Sequence, residues 1–358
     1  MFNISPQLQI EFPIIQAPMA GVSTSALAAA VSRAGGLGSI ATGTSSVAQV
    51  RQMMADVRQL THRPFNVNLF CHRPVPADPL HESRWLSYLR PFFAEFGTEP
   101  PTALIEPFTS FLNNDALLHL LLKEPPAVVS FHFGLPHPAQ LAALRQTGAA
   151  LLACVTSPAE AHLAEDAGVD ALIAQGIEAG GHRGCFEPDT SEGLGTLALT
   201  RLLVQQRSVP VIAAGGIMNG ADIAAVLGIG AVAAQMGTAF VACPESAADG
   251  RYRAALLRQP AWPTAMTSVI SGRPARGLIN RFMQDVDQPG RPEVIPYPWA
   301  YSATKALMAA AQKSDQVTGF DTHWAGEGLG RSRALPAVEL VRVLMKELNA
   351  FSTPYKST

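Results

Sequence analysis

The chain has 358 residues, 48% hydrophobic and only 15% charged, with a formal net charge of −2. This predicts a large buried core, and because no Lys/Arg-rich cluster stands out, we expect no nucleic-acid and no membrane partner. The cysteines form no CxxC pair and the N-terminus lacks a basic stretch before an apolar run, so we expect a reduced, cytoplasmic protein.

Short apolar runs recur along the chain, and most are followed by a helical pattern. The predicted strands are Phe12–Gln16, Leu37–Ala41, Phe65–Phe70, Ala127–Phe133, Ala150–Val155, Asp170–Ala174, Val209–Ala214 and Ala231–Met236. The predicted helices include about Ser25–Ala34, Pro138–Thr147, Pro158–Ala167, Leu197–Gln206, Ala221–Leu227 and a closing helix Leu335–Leu348. This alternation predicts an α/β fold, a (β/α)8 TIM barrel, because continuous apolar strands are typical of a covered parallel sheet. The alternative is a doubly wound sheet, but its GxGxxG signature is missing.

Two regions depart from this alternation. Residues 71–126 are rich in proline and aromatic residues and are predicted to cover the barrel end as an insertion. Residues 244–320 are predicted to form a smaller, mostly helical lid after the eighth strand. The chain is thus divided into a barrel (1–243), the lid (244–320) and a closing segment (321–358). Residues 223–244 carry no charge, but glycines interrupt them, so we expect helix, turn, strand and loop rather than a membrane span.

The most informative segment, Gln175–Gly184, follows the sixth strand. Its Gly180 and Gly181 permit close backbone approach, and His182 offers an acid/base group at the barrel face where sites lie. His182 is predicted to be either a site residue or a surface residue, because its neighbours Gly181 and Arg183 are not typical of a hydrophobic core. The adjacent Arg183 either pairs with an anionic substrate or is solvated.

A second histidine, His132, follows the fourth strand within Ser130–Gly134. It is predicted either to face the same cavity as His182 or to be a core imidazole between two phenylalanines. His182 and Cys185 have HxxC spacing, and Cys71 precedes His72, but neither pair is a recognised zinc pattern, so no metal is predicted.

Two glycine-containing loops follow the seventh and eighth strands. Gly215-Gly216 comes first, and Gln235, Met236, Gly237 and Thr238 end the next strand. Barrels bind phosphate at these two loops, where bare backbone N–H groups favour an anion. We therefore predict a phosphate site; the alternative for Gly215-Gly216 is a tight turn only.

A phosphate site combined with side-chain amides suits flavin mononucleotide (FMN). Asn68 and Gln175 can donate to and accept from the edge of the isoalloxazine ring. The loop Ala17-Pro18-Met19 after the first strand is predicted to line one face of the ring.

The lid contains an aromatic and basic stripe. Tyr301 and Lys305 are four residues apart on a predicted helix, Pro298 suits its first position, and Tyr297 precedes it on the same side. This face either closes over an anion or belongs to an amphipathic helix whose lysine reaches solvent.

Taken together, these residues resemble the nitronate monooxygenase family, formerly called 2-nitropropane dioxygenases, and its class I branch above all. The matching segments are Pro13–Gly21, Ala34–Gly38, Phe65–His72, Ser130–Gly134, Gln175–Gly184, Ala213–Ile217, Gln235–Phe240, Tyr297–Lys305 and residues 324–328.

The resemblance implies an FMN-containing TIM barrel with a helical second domain. Such an enzyme oxidises alkyl nitronates, such as propionate 3-nitronate, with O2 to a carbonyl compound plus nitrite or other nitrogen oxides, through one-electron flavin semiquinone chemistry. The implied FMN contacts are Asn68, Gln175, Gly180, Gly181, Gly216 and Gln235–Thr238, and the implied substrate contacts are His182, His132, Tyr297, Tyr301 and Lys305. If neutral nitroalkanes are also used, His182 is the candidate base.

Several alternatives remain open from the sequence. A flavin-dependent enoyl-ACP reductase of the same superfamily shares the segment Glu178–His182, and NADH:quinone reductases are related. A non-catalytic barrel that binds a phosphorylated metabolite is a third. For the oligomeric state we expect a monomer or a weak homodimer.

Overall fold

We describe a computed structural model of the protein, covering residues 8–188, 193–313 and 319–351. Its strands are β1 (Ile14–Gln16), β2 (Gly38–Ala41), β3 (Phe65–Phe70), β4 (Val128–His132), β5 (Ala150–Val155), β6 (Ala171–Gln175), β7 (Gly181–His182), β8 (Val211–Ala214), β9 (Ala233–Met236), β10 (Thr264–Thr267) and β11 (Ala275–Leu278). Eight of them form one parallel sheet in the order β1-β9-β8-β6-β5-β4-β3-β2. A bridge between Ile15 and Leu37 brings β1 back beside β2, so the sheet closes. The predicted TIM barrel is confirmed.

Helices surround this barrel and extend beyond it. They are α1 (Ser25–Arg33), α2 (Val47–Leu60), α3 (Pro79–Ala94), α4 (Asp115–Lys123), α5 (Pro138–Gln146), α6 (Pro158–Asp166), α7 (Thr196–Gln206), α8 (Gly220–Gly228), α9 (Thr238–Val241), α10 (Gly250–Leu257), α11 (Trp299–Gln312) and α12 (Ala337–Phe351). Local sequence sets several of their starts; Ser46 and Gln49, for example, form a capping box at α2. The closing helix α12 packs against α8 and α1, which completes the outer ring.

The barrel strands are buried along almost their whole length. Close packing of helices on them requires glycine at particular places. A Cβ at Gly38 would lie 1.9 Å from the carbonyl oxygen of Ala28, so β2 can contact α1 only without a side chain there. Residues 223–244 form the end of α8, then β9, α9 and loops, as predicted. Among the described residues, no helix combines the length and apolar character that crossing a bilayer requires.

The insertion at 71–126 divides into two structural parts. Its second helix, α4, buries Leu117, Leu120 and Leu121 in the barrel core, so it is the barrel's own helix between β3 and β4. Its first helix, α3, instead places Trp85 and Phe93 in a second core that it shares with α11. The lid is therefore built from two segments that are distant in the sequence.

The lid also contains strands that the sequence analysis did not predict. β10 and β11 form an antiparallel hairpin, and β11 pairs on its other side with β7. Segment Gln175–Gly184 is thus partly a strand, since Ala275 lies opposite His182. The hairpin is short, contains Arg276 and Gly277 in β11, and has no periodic apolar pattern, so only its long-range pairing reveals it.

Candidate active site

A cavity of about 330 Å³ lies where the loops after the barrel strands meet the lid, within the size range of small-molecule sites. Apart from Arg183, the residues named above as candidates for cofactor or substrate contact all line it: Ala17, Pro18, Met19, Asn68, His132, Gln175, Gly180, Gly181, His182, Gly215, Gly216, Gln235, Met236, Gly237, Thr238, Tyr297, Tyr301 and Lys305. The barrel topology brings them together because parallel strands all end at one face.

One end of this cavity, where phosphate binding was predicted, is formed by the loops after β8 and β9. Gly215 and Gly216 have φ angles of +125° and +70°, which favour glycine. The backbone N–H groups of Gly216, Gly237 and Thr238 have no acceptor among the residues that the structure describes. Three free donors at one end of a cavity can receive an anion.

The segment after the lid, residues 324–331, closes this end. Gly326 N donates to Thr238 Oγ1 at 3.0 Å, and Glu327 N donates to Glu178 O at 3.0 Å. A Cβ at Gly180 would lie 2.5 Å from Gly326 N, so Gly180 is small because this segment packs on it. By contrast, a Cβ at Gly181, whose φ is +73°, would meet nothing within 4 Å. Of the two glycines, only Gly181 leaves open space.

The amide side chains in the cavity have different roles. Gln235 Oε1 is buried and has no hydrogen-bond partner among the described residues, so it is an acceptor without a donor. Asn68 Nδ2 donates to Ser130 Oγ at 2.9 Å. Gln175 donates to His182 O and accepts from Gly184 N at 3.0 and 2.8 Å, so its amide shapes the loop that carries His182.

His182 is held by the lid hairpin. Its Nε2 lies 2.8 Å from Ser271 Oγ, while the Ser271 hydroxyl donates to Arg273 O at 3.1 Å. Ser271 Oγ therefore accepts a hydrogen bond from the Nε2–H group, which leaves the lone pair of Nδ1 available. Burial, together with the nearby His132 and Arg273, lowers the pKa of His182 to about 3. The imidazole is thus neutral at physiological pH.

His132 lies beside the same loop. Burial lowers its pKa to about 4, although a hydrogen bond to the backbone of His182 acts in the opposite direction. A Cβ at Gly184 would lie 3.0 Å from His132 Cε1 and 2.5 Å from Cys154 Sγ. His132 lines the cavity, and so does its neighbour Cys154, which the sequence analysis did not select.

The aromatic and basic stripe covers the cavity from the lid. Helix α11 begins at Trp299, so Pro298 is its N-cap rather than its first residue. Lys305 Nζ lies 4.5 Å from the ring centroid of Phe108 and 5.1 Å from that of Tyr301. The Lys305 side chain is partly exposed, and its partial burial lowers the pKa of the ammonium. No carboxylate pairs with it in the described parts of the chain.

Other wall residues were not predicted. Phe108, Tyr252 and Trp324 line the cavity, and Tyr252 donates to the backbone oxygen of Trp324. The ring of Trp324 lies 5.3 Å from that of His182. These residues come from three distant segments, and no local signal distinguishes them from ordinary core aromatics.

Arg183 has neither of the predicted roles. It is only 1% exposed, and its Nη1 donates to the carbonyl oxygens of Gln175 and Gly176 at 2.8 and 2.6 Å. It therefore fixes the end of β6, is shielded from solvent and does not line the cavity. Within the described residues, no cluster of three His, Cys, Asp or Glu residues is placed to hold a metal ion.

Known proteins resemble this chain over nearly its whole length. The family model for nitronate monooxygenase matches residues 3–347. A nitronate monooxygenase of Pseudomonas aeruginosa is 56% identical over 342 residues, which cover 95% of this chain and 97% of that protein.

Two solved structures are similar as well. The nitroalkane oxidase of Streptomyces ansochromogenes has a TM-score of 0.88 and 41% identity, covering 97% of this chain and 98% of that one. FabK from Thermotoga maritima has a TM-score of 0.71 and 28% identity, with coverage of 97% and 96%.

Proposed function

Because the chain belongs to the nitronate monooxygenase family, and is therefore an oxidoreductase, we propose that it is an FMN-dependent enzyme that oxidises alkyl nitronates, such as propionate 3-nitronate, with O2. One observation carries the proposal. The phosphate loops, the neutral His182 and the unpaired Lys305 all line a single cavity. Membership of an enzyme family also argues against the non-catalytic barrel as an alternative.

The residues present fit FMN. Gly216, Gly237 and Thr238 would hold its phosphate through free N–H groups, and Gln235 Oε1 would accept from a donor on the flavin. Gly181 leaves space for a flat ring to approach the backbone. Bound FMN would take electrons from the substrate and make them available to O2.

The cavity favours an anionic substrate. A nitronate has already lost its α-proton, so the protein needs to bind and orient it rather than to deprotonate it. Lys305 supplies a positive charge from the lid, and Tyr297 and Tyr301 supply hydroxyl groups beside it. Burial raises the pKa of both phenols, so they stay protonated and can donate to the nitro oxygens.

For a neutral nitroalkane, His182 would act as the base. Its Nδ1 accepts the α-proton while Ser271 keeps the ring in place through Nε2. The lowered pKa keeps the ring unprotonated at neutral pH. The imidazolium then lies beside the new nitronate anion, which stabilises both charges.

The decisive experiment is aerobic assay of the purified protein with propionate 3-nitronate. We expect a yellow protein that releases FMN on denaturation, consumes O2 and forms nitrite with this substrate. Under anaerobic conditions the nitronate, but not NADH, should bleach the flavin. Rapid bleaching by NADH, with reduction of crotonyl-CoA or a quinone, would instead support a reductase, the alternative that the likeness to FabK keeps open.

Lys305→Met is expected to raise KM for anionic nitronates by roughly tenfold, because one positive charge near the substrate is lost. The KM for neutral nitroethane should change little. Steady-state oxygen consumption measures both values. Lys313→Met, which removes an exposed lysine just beyond α11, is the matched control. Equal effects on charged and neutral substrates would argue against charge recognition by Lys305.

A further inference from the structure

Arg273 is a buried cation behind the wall of the cavity. It lies between β10 and β11 and is 5% exposed. Its Nη1 and Nη2 donate to the carbonyl oxygens of Cys185 and Phe186 at 2.8 and 3.2 Å. It does not line the cavity, so any effect on a ligand must act at a distance.

The aromatic ring of Phe133 lies between the Arg273 guanidinium and the histidines of the cavity. Arg273 Cζ lies 4.7 Å from the centroid of Phe133, whose ring lies 4.5 Å from that of His132 and 5.7 Å from that of His182. Phe133 has a φ of +70°, which is uncommon for a residue with a side chain. This strained conformation follows β4 directly, at the cavity, where backbone strain often has a functional reason.

The charge of Arg273 has no anionic partner close by. No carboxylate oxygen of the described residues lies within 4.0 Å of it, so its direct partners are carbonyl oxygens, while the charges of Glu187 and Glu160 act on it only from farther away. Its neighbour Arg276, in the same hairpin, is also buried but is paired with Glu327 at 3.1 Å. An unpaired buried cation acts over a longer range than a paired one, because little solvent screens it.

We propose that Arg273 is a positioning residue that makes the electrostatic potential of the cavity positive, and so selects anionic ligands with a planar NO2-like group over their neutral analogues. The proposal rests on the proposed function, since it concerns the same site. It complements Lys305, which lines the cavity from helix α11. Arg273 acts through space and through Phe133 rather than by touching the ligand.

The titratable groups around Phe133 support this role. Burial is the main cause of the low pKa values of His72, His132 and His182, and the charge of Arg273 lowers each of them further. Tyr297, which also contacts Phe133, stays protonated. The buried positive charge therefore belongs to a guanidinium that does not titrate, and the imidazoles remain neutral.

The test compares two unreactive ligands with the FMN-loaded protein. Nitrate is a planar anion, and 2-methyl-2-nitropropane is a neutral nitro compound without an α-hydrogen. Their dissociation constants are measured by flavin absorbance and calorimetry. For Arg273→Gln we expect nitrate to bind about tenfold more weakly, since a unit charge at roughly 10 Å in an effective dielectric near 20 has about this effect. The neutral ligand should bind within about twofold of the unchanged protein.

Two further variants separate charge from packing. Arg276→Gln should leave the ratio of the two affinities unchanged, because it removes an arginine whose charge is already paired. Arg273→Lys keeps the charge, so its ratio should stay within about threefold of the original protein. If Arg273→Gln does not fold, the ratio of the two affinities in Arg273→Lys still tests the proposal.

The proposal is overturned if Arg273→Gln weakens both ligands equally, or if Arg273→Lys loses the preference for nitrate. Neither result depends on turnover. A protein that oxidises propionate 3-nitronate but shows no charge-dependent ligand preference would retain the proposed function and refute the role of Arg273. A protein whose preference for nitrate depends on Arg273, but which does not oxidise nitronates, would retain the role of Arg273 and refute the proposed function.

Discussion

Replacing His182 with Asn is expected to lower the rate with neutral nitroethane by about 10²–10⁴-fold, because an amide cannot take the α-proton. Turnover of preformed nitronates should fall much less, since no proton is removed from them. Asparagine can still hydrogen-bond to Ser271, so the loop and bound FMN should be retained. Stopped-flow flavin reduction with both substrates, together with the flavin content of the protein, measures these effects.

The control is His119→Asn, which changes an exposed histidine outside the cavity and should leave all rates unchanged. Loss of FMN with normal turnover per bound flavin would assign His182 to cofactor binding. An equal loss of rate with both substrates would assign it to substrate orientation rather than to proton transfer.

The second large effect is on stability in acid. His72, with a pKa near 4, is held neutral by burial, and neither ring nitrogen has a hydrogen-bond partner among the described residues. Like His132 and His182, His72 stays neutral in the folded chain until the pH is well below 6.5. In the unfolded chain the same histidines bind a proton below about pH 6.5. Stability therefore falls as the pH drops from 6.5 towards 4. At pH 5 each buried histidine costs roughly 2 kcal/mol.

His72→Phe removes one of these costs. The free energy of unfolding of the variant is compared with that of the original protein at pH 8 and at pH 5. We expect this difference to shift in favour of the variant by roughly 2 kcal/mol on going from pH 8 to pH 5. Urea unfolding of the FMN-loaded protein at the two pH values measures the difference, and His119→Gln, at an exposed histidine, is the control. A stability difference that does not change with pH would show that His72 is protonated, or bound to water, in the folded protein.

Much of the site follows from local sequence. Gly215-Gly216 and Gln235–Thr238 each end a strand that is recognisable from its apolar run, and barrel topology then brings such strand ends to one cavity. His182 follows a predicted strand in the same way. What local sequence does not reveal is the environment of individual groups. Arg183 is a buried backbone donor, and Gly180 is small because of residues 324–331.

The sequence by itself determined the barrel and those cavity residues that lie at the strand ends, because continuous apolar strands and glycine-rich strand ends are local signals. Only the tertiary structure decided how these residues are supported. The Nε2 of His182 contacts Ser271, 89 residues later in the chain, and Arg273 lies beside Phe133 through the same unpredicted hairpin. Tautomer, protonation state and electrostatic potential depend on burial and on such distant neighbours, which short-range patterns do not contain.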